Sequence, residues 1–338
     1  MSSNFAGKDV VGRINFTGGF PTSRDFAPSL VYLIAYTLTL PVLFYRLVRR
    51  SSRSFMLLRP CIFVASRFGA LILRIMMSKR PYGLNETIAE LVLISIGYIF
   101  LIDPFIQCWK RNIEGNVPVT ARPQWLKPLR LILSALLICC VVFTIAAGAV
   151  TSDAFKSSEW LDVVQGLRET SYVLTLVVLV FLATITLITH FYFDLPILKT
   201  FYILIPTLCL FVVAVYRIVH GHVNNPNAPI RSLAAFWILQ MLFEFIAYIF
   251  VIAVSLPDFF PVETPGSPTQ RKSLLHHSSR DKDVPVVTEY PQFLGGLEHG
   301  QDQDQYQSNM GRRDDQWYDK LYIVKFGKWV GKKVSGGR

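Results

Sequence analysis

The chain has 338 residues, 52% of them apolar and 17% charged, where an ordinary soluble domain has about 25% charged residues. The net charge is +11, but residues 1–256 hold 22 basic and 12 acidic side chains while residues 257–338 hold 12 and 11, so the excess flanks the apolar part of the chain. That placement speaks against a nucleic-acid footprint and for the loop arginines and lysines that orient a membrane protein.

Met1 to Ala27 is polar and Gly-rich, with no apolar core of the kind a cleaved signal peptide needs. Seven apolar runs follow: Pro28 to Val48, Phe55 to Met77, Thr87 to Trp109, Arg130 to Val150, Ser171 to Phe191, Lys199 to Val219 and Ser232 to Leu256. About 20 such residues rising ~1.5 Å each cross ~30 Å of hydrocarbon, and in lipid every backbone polar group must be satisfied within its own helix. The expected fold is therefore all-α, a polytopic bundle of seven transmembrane helices with a C-terminal tail from residue 257.

The second run carries Arg59, Arg67 and Arg74. At about 100° per residue they fall at about 0°, 80° and 60°, one stripe on one face. A charge in hydrocarbon costs at least ~2.5 to 3.5 kcal/mol, so the stripe should face inward toward acids. With each span centred, Arg67 matches the depth of Glu244 in the seventh run, Arg74 that of Glu90 and Arg59 that of Asp103 in the third. Glu90 and Asp103 lie about 140° apart around one helix, which Gly97 and Pro104 could relieve by bending it. Arg217, near the end of the sixth run, joins the same candidate network. Two readings stay open: the pairs only neutralise each other and fix packing, or they line a polar cavity between the second, third, sixth and seventh helices. Arg67 and Glu244 are the first candidates for a ligand site.

The middles of the fourth and fifth runs carry no charge and read as lipid-facing walls. Thr175, Thr184, Thr186 and Thr189 should bond to carbonyls of the preceding turn. His220-Gly221-His222, among asparagines, reads as a solvated outer loop without companion metal ligands, and His190 as an interfacial side chain. The cysteines Cys61, Cys108, Cys139, Cys140 and Cys209 all sit in or beside spans and are expected to be free thiols. No phosphate loop, zinc-protease pair or nucleophile elbow is present, so neither an enzyme nor a cofactor is expected. The seventh run has no lysine for retinal, and Cys108-Trp109-Lys110-Arg111 and Phe245-Ile246-Ala247-Tyr248 stand where rhodopsin-like receptors have their signature motifs.

Orientation follows from the short loops. Arg46, Arg49, Arg50, Arg53, Lys110, Arg111, Arg122, Lys127, Arg130 and Lys199 lie on one side, and Lys79, Arg80, Lys156, Arg168, Arg217 and Arg231 on the other, with three more in the N-terminal tail. The N-terminus is expected outside and the C-terminus in the cytoplasm. The two glycosylation sequons, at Asn15 and in the loop at Asn85, then both face outward. From Pro261 to Arg313 the tail is rich in Pro, Ser, Gln, Asp and Gly and is expected to be disordered. Ser267, Ser273, Ser278 and Ser279 near Arg271, Lys272 and Arg280 suit a kinase, and the aromatic and lysine residues from Trp317 to Val334 suit an anionic membrane surface.

The layout resembles uncharacterised seven-helix membrane proteins of fungi and, more distantly, the fungal lipid-translocating exporter-like family linked to resistance to toxic sterols. The resemblance is carried by the arginine-bearing second span, by Tyr216-Arg217-Ile218-Val219-His220 and by Met241-Leu242-Phe243-Glu244-Phe245. Where that family has an arginine before and a glutamate after the Tyr-Arg block, this chain has Val213 and His220. The resemblance implies handling of lipid. The leading expectation is a membrane protein that binds or moves an amphipathic small molecule or lipid, with membrane lipids as partners and no nucleic acid. The rivals are a sensor whose tail engages cytoplasmic partners, and a scaffold with neither activity.

Overall fold

The computed structural model describes residues 18–48, 57–117, 122–154, 158–223, 225 and 228–260. Seven helices among them are long and apolar enough to cross a membrane, and none of these residues forms a strand. They are α1 (Phe26–Val48), α2 (Leu58–Lys79), α3 (Leu84–Asn116), α4 (Leu126–Ala154), α5 (Ser158–Phe193), α6 (Ile197–His222) and α7, the span Leu233–Ala253. A short α8 (Leu256–Phe259) follows. The chain is thus a multi-pass, all-α membrane protein. Asn15 and the tail segments at Pro261–Arg313 and Trp317–Val334 lie outside the described residues.

Local sequence sets the helix ends. Glu86 accepts from the Gly83 backbone N–H at 2.6 Å, which starts α3 after a short turn. At the other end of α3, Arg122 donates to the carbonyls of Val117 (2.9 Å) and Glu114 (2.5 Å), placing a cation where the helix dipole is negative. α5 closes at Asp194, whose φ of 46° is left-handed, and Pro196 then caps α6. Ser232 starts α7 by accepting from the Ala235 N–H at 3.2 Å.

α3 is the central post. Of its apolar stretch 61% is buried, against 28% for α1 and for α4, so those two face the lipid most fully. It packs against α2, α4, α5, α6 and α7. The close approach of α2 to α3 depends on Gly97, where a Cβ would run into the Ser66 side chain and come within 3.5 Å of the Arg67 guanidinium carbon. Gly148 does the same for α3 and α4, since a Cβ there would meet Val92 at 2.5 Å. The uncharged run of α5 from Ser171 is more embedded than a simple wall, with Val178, Leu179 and Leu182 fully buried. Thr175, Thr186 and Thr189 donate to carbonyls one turn back at 2.6 to 2.7 Å, and Thr189 also accepts from the Trp109 indole at 3.2 Å.

α7 is irregular where it matters. Phe236–Leu242 is π-helical, between α-helical turns at Leu233–Ala235 and Phe243–Ala253. A π segment shifts the residues after it around the axis and recurs at functional positions. Here it sets the angle at which Glu244 faces the interior.

Candidate functional site

Glu244 of α7, wholly buried, meets two arginines. Arg67 of α2 pairs with Oε2 and Arg217 of α6 donates to Oε1 at 3.2 Å. Both guanidiniums also donate to the Ile94 carbonyl of α3, at 3.0 and 3.1 Å. Four helices therefore converge on one carboxylate and one backbone oxygen. Arg217 lies over the Tyr98 ring, 4.3 Å to its centroid, and Arg67 over Phe63 at 5.1 Å. Arg67, Arg217 and Glu244 are at most 2% exposed.

A second group stands about two turns along α2. Arg74 donates to Glu90 at 2.6 Å, to Asp25 at 2.9 Å and to the Gly18 carbonyl at 2.6 Å, with the Phe236 ring 4.6 Å away. Asp25 also accepts from the Thr22 N–H and hydroxyl at 2.9 and 3.0 Å. This binds Gly18–Asp25 across the end of the bundle. Gly18 has φ +94°, and a Cβ there would sit 2.8 Å from Phe236, so the strap passes only as glycine.

The third pair, Arg59 with Asp103, lies toward the opposite end, and Gln107 donates to Asp103 at 3.4 Å. The arginine is 36% exposed by side chain. Arg59 thus reaches Asp103 from the rim while Arg74 meets Glu90 in the interior, so the 140° between the two acids needs no common face.

The structure pairs every charged residue of the sequence-derived network, in three separate groups rather than one, and corrects several placements. Arg217 and Arg46, counted among loop cations, are buried: Arg217 holds Glu244, and Arg46 donates to the Val251 carbonyl at 2.7 Å. Both lie inside the apolar runs, and only their sign suggested a loop. His220-Gly221-His222 is the last turn of α6 rather than a loop, with His220 buried and His222 paired with Glu169 at 3.0 Å: the helix continues through Gly221, and the Val223 N–H still bonds to the Val219 carbonyl. Asn85 is exposed in the first turn of α3 rather than in a loop, and the sequon's Thr87 is buried, its hydroxyl donating to the Gly83 carbonyl. Asp25 was not anticipated as a partner. Its signal was its position just before the first span, at the same end of the bundle as Arg74.

A narrow cleft with about 30 Å³ of internal space lies between α3, α4 and α5 rather than between α2, α3, α6 and α7. Ile88, Leu91 and Val92 form an apolar wall; Arg168 and Tyr172 of α5 close one end. Arg168 donates to the Tyr172 hydroxyl at 3.1 Å, and the Tyr172 ring lies 5.8 Å from the Arg217 guanidinium. Tyr172 is thus the partition between cleft and charge centre. Among the described residues no three His, Cys, Asp or Glu side chains are grouped to hold a metal.

Several buried polar atoms find no hydrogen-bond partner among the described residues: Nε and Nη1 of Arg67 and Nε of Arg217 in the charge centre, and elsewhere in the bundle the hydroxyls of Tyr36 and Tyr216 and both amide atoms of Gln240. Searches of protein families, curated proteins and solved structures return no match to this chain.

Proposed function

We propose that this membrane protein binds an amphipathic molecule drawn from the bilayer, a lipid or lipid-like compound with an anionic polar group, in the cleft between α3, α4 and α5. The observation that carries the reading is the sharing of Tyr172 between Arg168, at the cleft's polar end, and Arg217, in the charge centre. Arg168 stands three residues before the uncharged run that begins at Ser171, at the depth of lipid headgroups. Acyl chains run along Ile88, Leu91 and Val92 while the headgroup meets Arg168 and Tyr172. The Arg74 group, with its three acceptors, serves architecture: it fastens the strap and α3 to α2.

The topology that goes with this reading has the N-terminus outside. With Arg46 and Arg217 set aside as interior residues, nine loop cations remain on the cytoplasmic side against five in the opposite loops and three in the N-terminal tail, so the loops carry the bias. The cleft then opens toward the outer leaflet.

The test is native mass spectrometry of the protein purified from membranes in mild detergent. The wild type should retain an anionic lipid-class adduct, Ser95→Leu should lose it by filling the cleft, and Arg168→Gln should weaken it. A wild type free of adducts, or one whose adducts persist unchanged in both variants, would sink the reading.

A further inference from the structure

We infer that the Arg67–Arg217–Glu244 centre binds a small monovalent inorganic anion of the halide class. The first argument is charge. Two guanidiniums share one carboxylate, which leaves the group one positive charge in excess, and all three side chains are enclosed by protein. The carboxylates of Glu90 and Asp25 are taken by Arg74, seven residues along α2 and about 10 Å away by helical rise. They balance the bundle as a whole, not the centre itself.

The second argument is the sign of the unused groups. The guanidinium atoms Nε and Nη1 of Arg67 and Nε of Arg217 can only donate, and Tyr36 adds a hydroxyl that can do so. Tyr36 belongs to the same centre: its ring meets Phe63 at 6.0 Å, Phe63 underlies Arg67, and Arg67 and Glu244 both act on its hydroxyl electrostatically. Water can accept from some of these donors but brings donors of its own and no charge. A halide brings acceptor capacity without donors, and its one negative charge cancels the excess. Enclosure on every side favours a monatomic ion over an organic headgroup, because each of these atoms is sealed from solvent.

The site is distinct from the lipid cleft, on the other side of Tyr172, with donors from α1 and α2 as well as α6. Glu244 competes with the anion for the same guanidiniums, which gives the proposal a sign that a purely architectural ion pair lacks.

The experiment titrates chloride, then bromide, into the full-length protein in detergent at constant ionic strength, with gluconate as the replaced ion, and reads the thermal midpoint. A saturable rise in the midpoint is expected. Tyr36→Phe should raise the half-saturating chloride concentration roughly fivefold, as loss of one hydrogen bond implies. Glu244→Gln should lower it about tenfold or more by removing the competitor. No saturable chloride response in the wild type, or the same half-saturation in Tyr36→Phe, overturns the proposal. Should Glu244→Gln fail to fold, bromide-soaked crystals of the wild type decide it: an anomalous peak beside Arg67 supports the site, and peaks only at the surface refute it.

Discussion

Arg67 and Arg217, from helices two and six, are joined through opposite oxygens of the single carboxylate of Glu244. The consequence is an asymmetry among the three residues. Removing either arginine leaves one neutral pair; removing the acid leaves two like charges buried together.

Glu244→Gln should therefore be the most damaging of the three changes, by about 3 to 5 kcal/mol, the cost of breaking a buried pair from one side. Arg67→Met should cost less, since Arg217 keeps its partner. Exchanging the charges of positions 67 and 244 should not restore stability, because it puts a second cation beside Arg217. Thermal midpoints in detergent rank the variants, and an Arg67→Met protein less stable than Glu244→Gln would contradict the shared carboxylate.

The contact of α2 with α3 at Gly97 is steric and should respond to volume alone. Gly97→Ala should cost roughly 1 to 3 kcal/mol by overpacking against Ser66. Adding Ser66→Gly, which clears the obstructing side chain, should recover most of it. A double variant no better than the single would mean that the helices do not approach as described.

Asp25 ties the Gly18–Asp25 strap to Arg74. Asp25→Asn should leave Arg74 paired with Glu90 and keep the bundle folded, while amide hydrogen exchange over residues 18 to 25 rises by an order of magnitude or more, as for a local opening eased by about 1.4 kcal/mol. Unchanged exchange would show that the carboxylate does not hold the strap.

Topology can be read from the two sequons. With the N-terminus outside, Asn15→Gln should abolish a glycan-dependent shift in electrophoretic mobility. Asn85→Gln should leave mobility unchanged, because Thr87 is buried in the first turn of α3. A shift lost in Asn85→Gln but not in Asn15→Gln would reverse this assignment.

Deleting Pro261 to Arg338 separates lipid binding from tail-borne signalling. The adduct retained by the bundle should survive the truncation, because every cleft-lining residue lies between Ile88 and Tyr172. Loss of the adduct on truncation would favour the sensor reading.

The sequence by itself determined the solvent and the helix count. Seven apolar runs of bilayer length admit no other fold class, because hydrocarbon offers a backbone amide no partner outside its own helix. The sequence also determined that Arg67 and Arg74 face inward, and depth along straight helices matched Arg67 with Glu244, Arg74 with Glu90 and Arg59 with Asp103. Helical rise is a property of each helix alone, so depth survives any arrangement of the bundle. What only the tertiary structure decided is which side chains share a partner. Arg217 on Glu244, Asp25 on Arg74 and Arg46 on the Val251 carbonyl each depend on how separate segments pack and, for Glu244, on the π-helical turn that aims it. Rotation about a helix axis and the choice of neighbour are fixed by contacts between chains of residues that no single segment contains. For that reason the lipid cleft, closed by Tyr172 against Arg217, could not be read from the spacing of either residue.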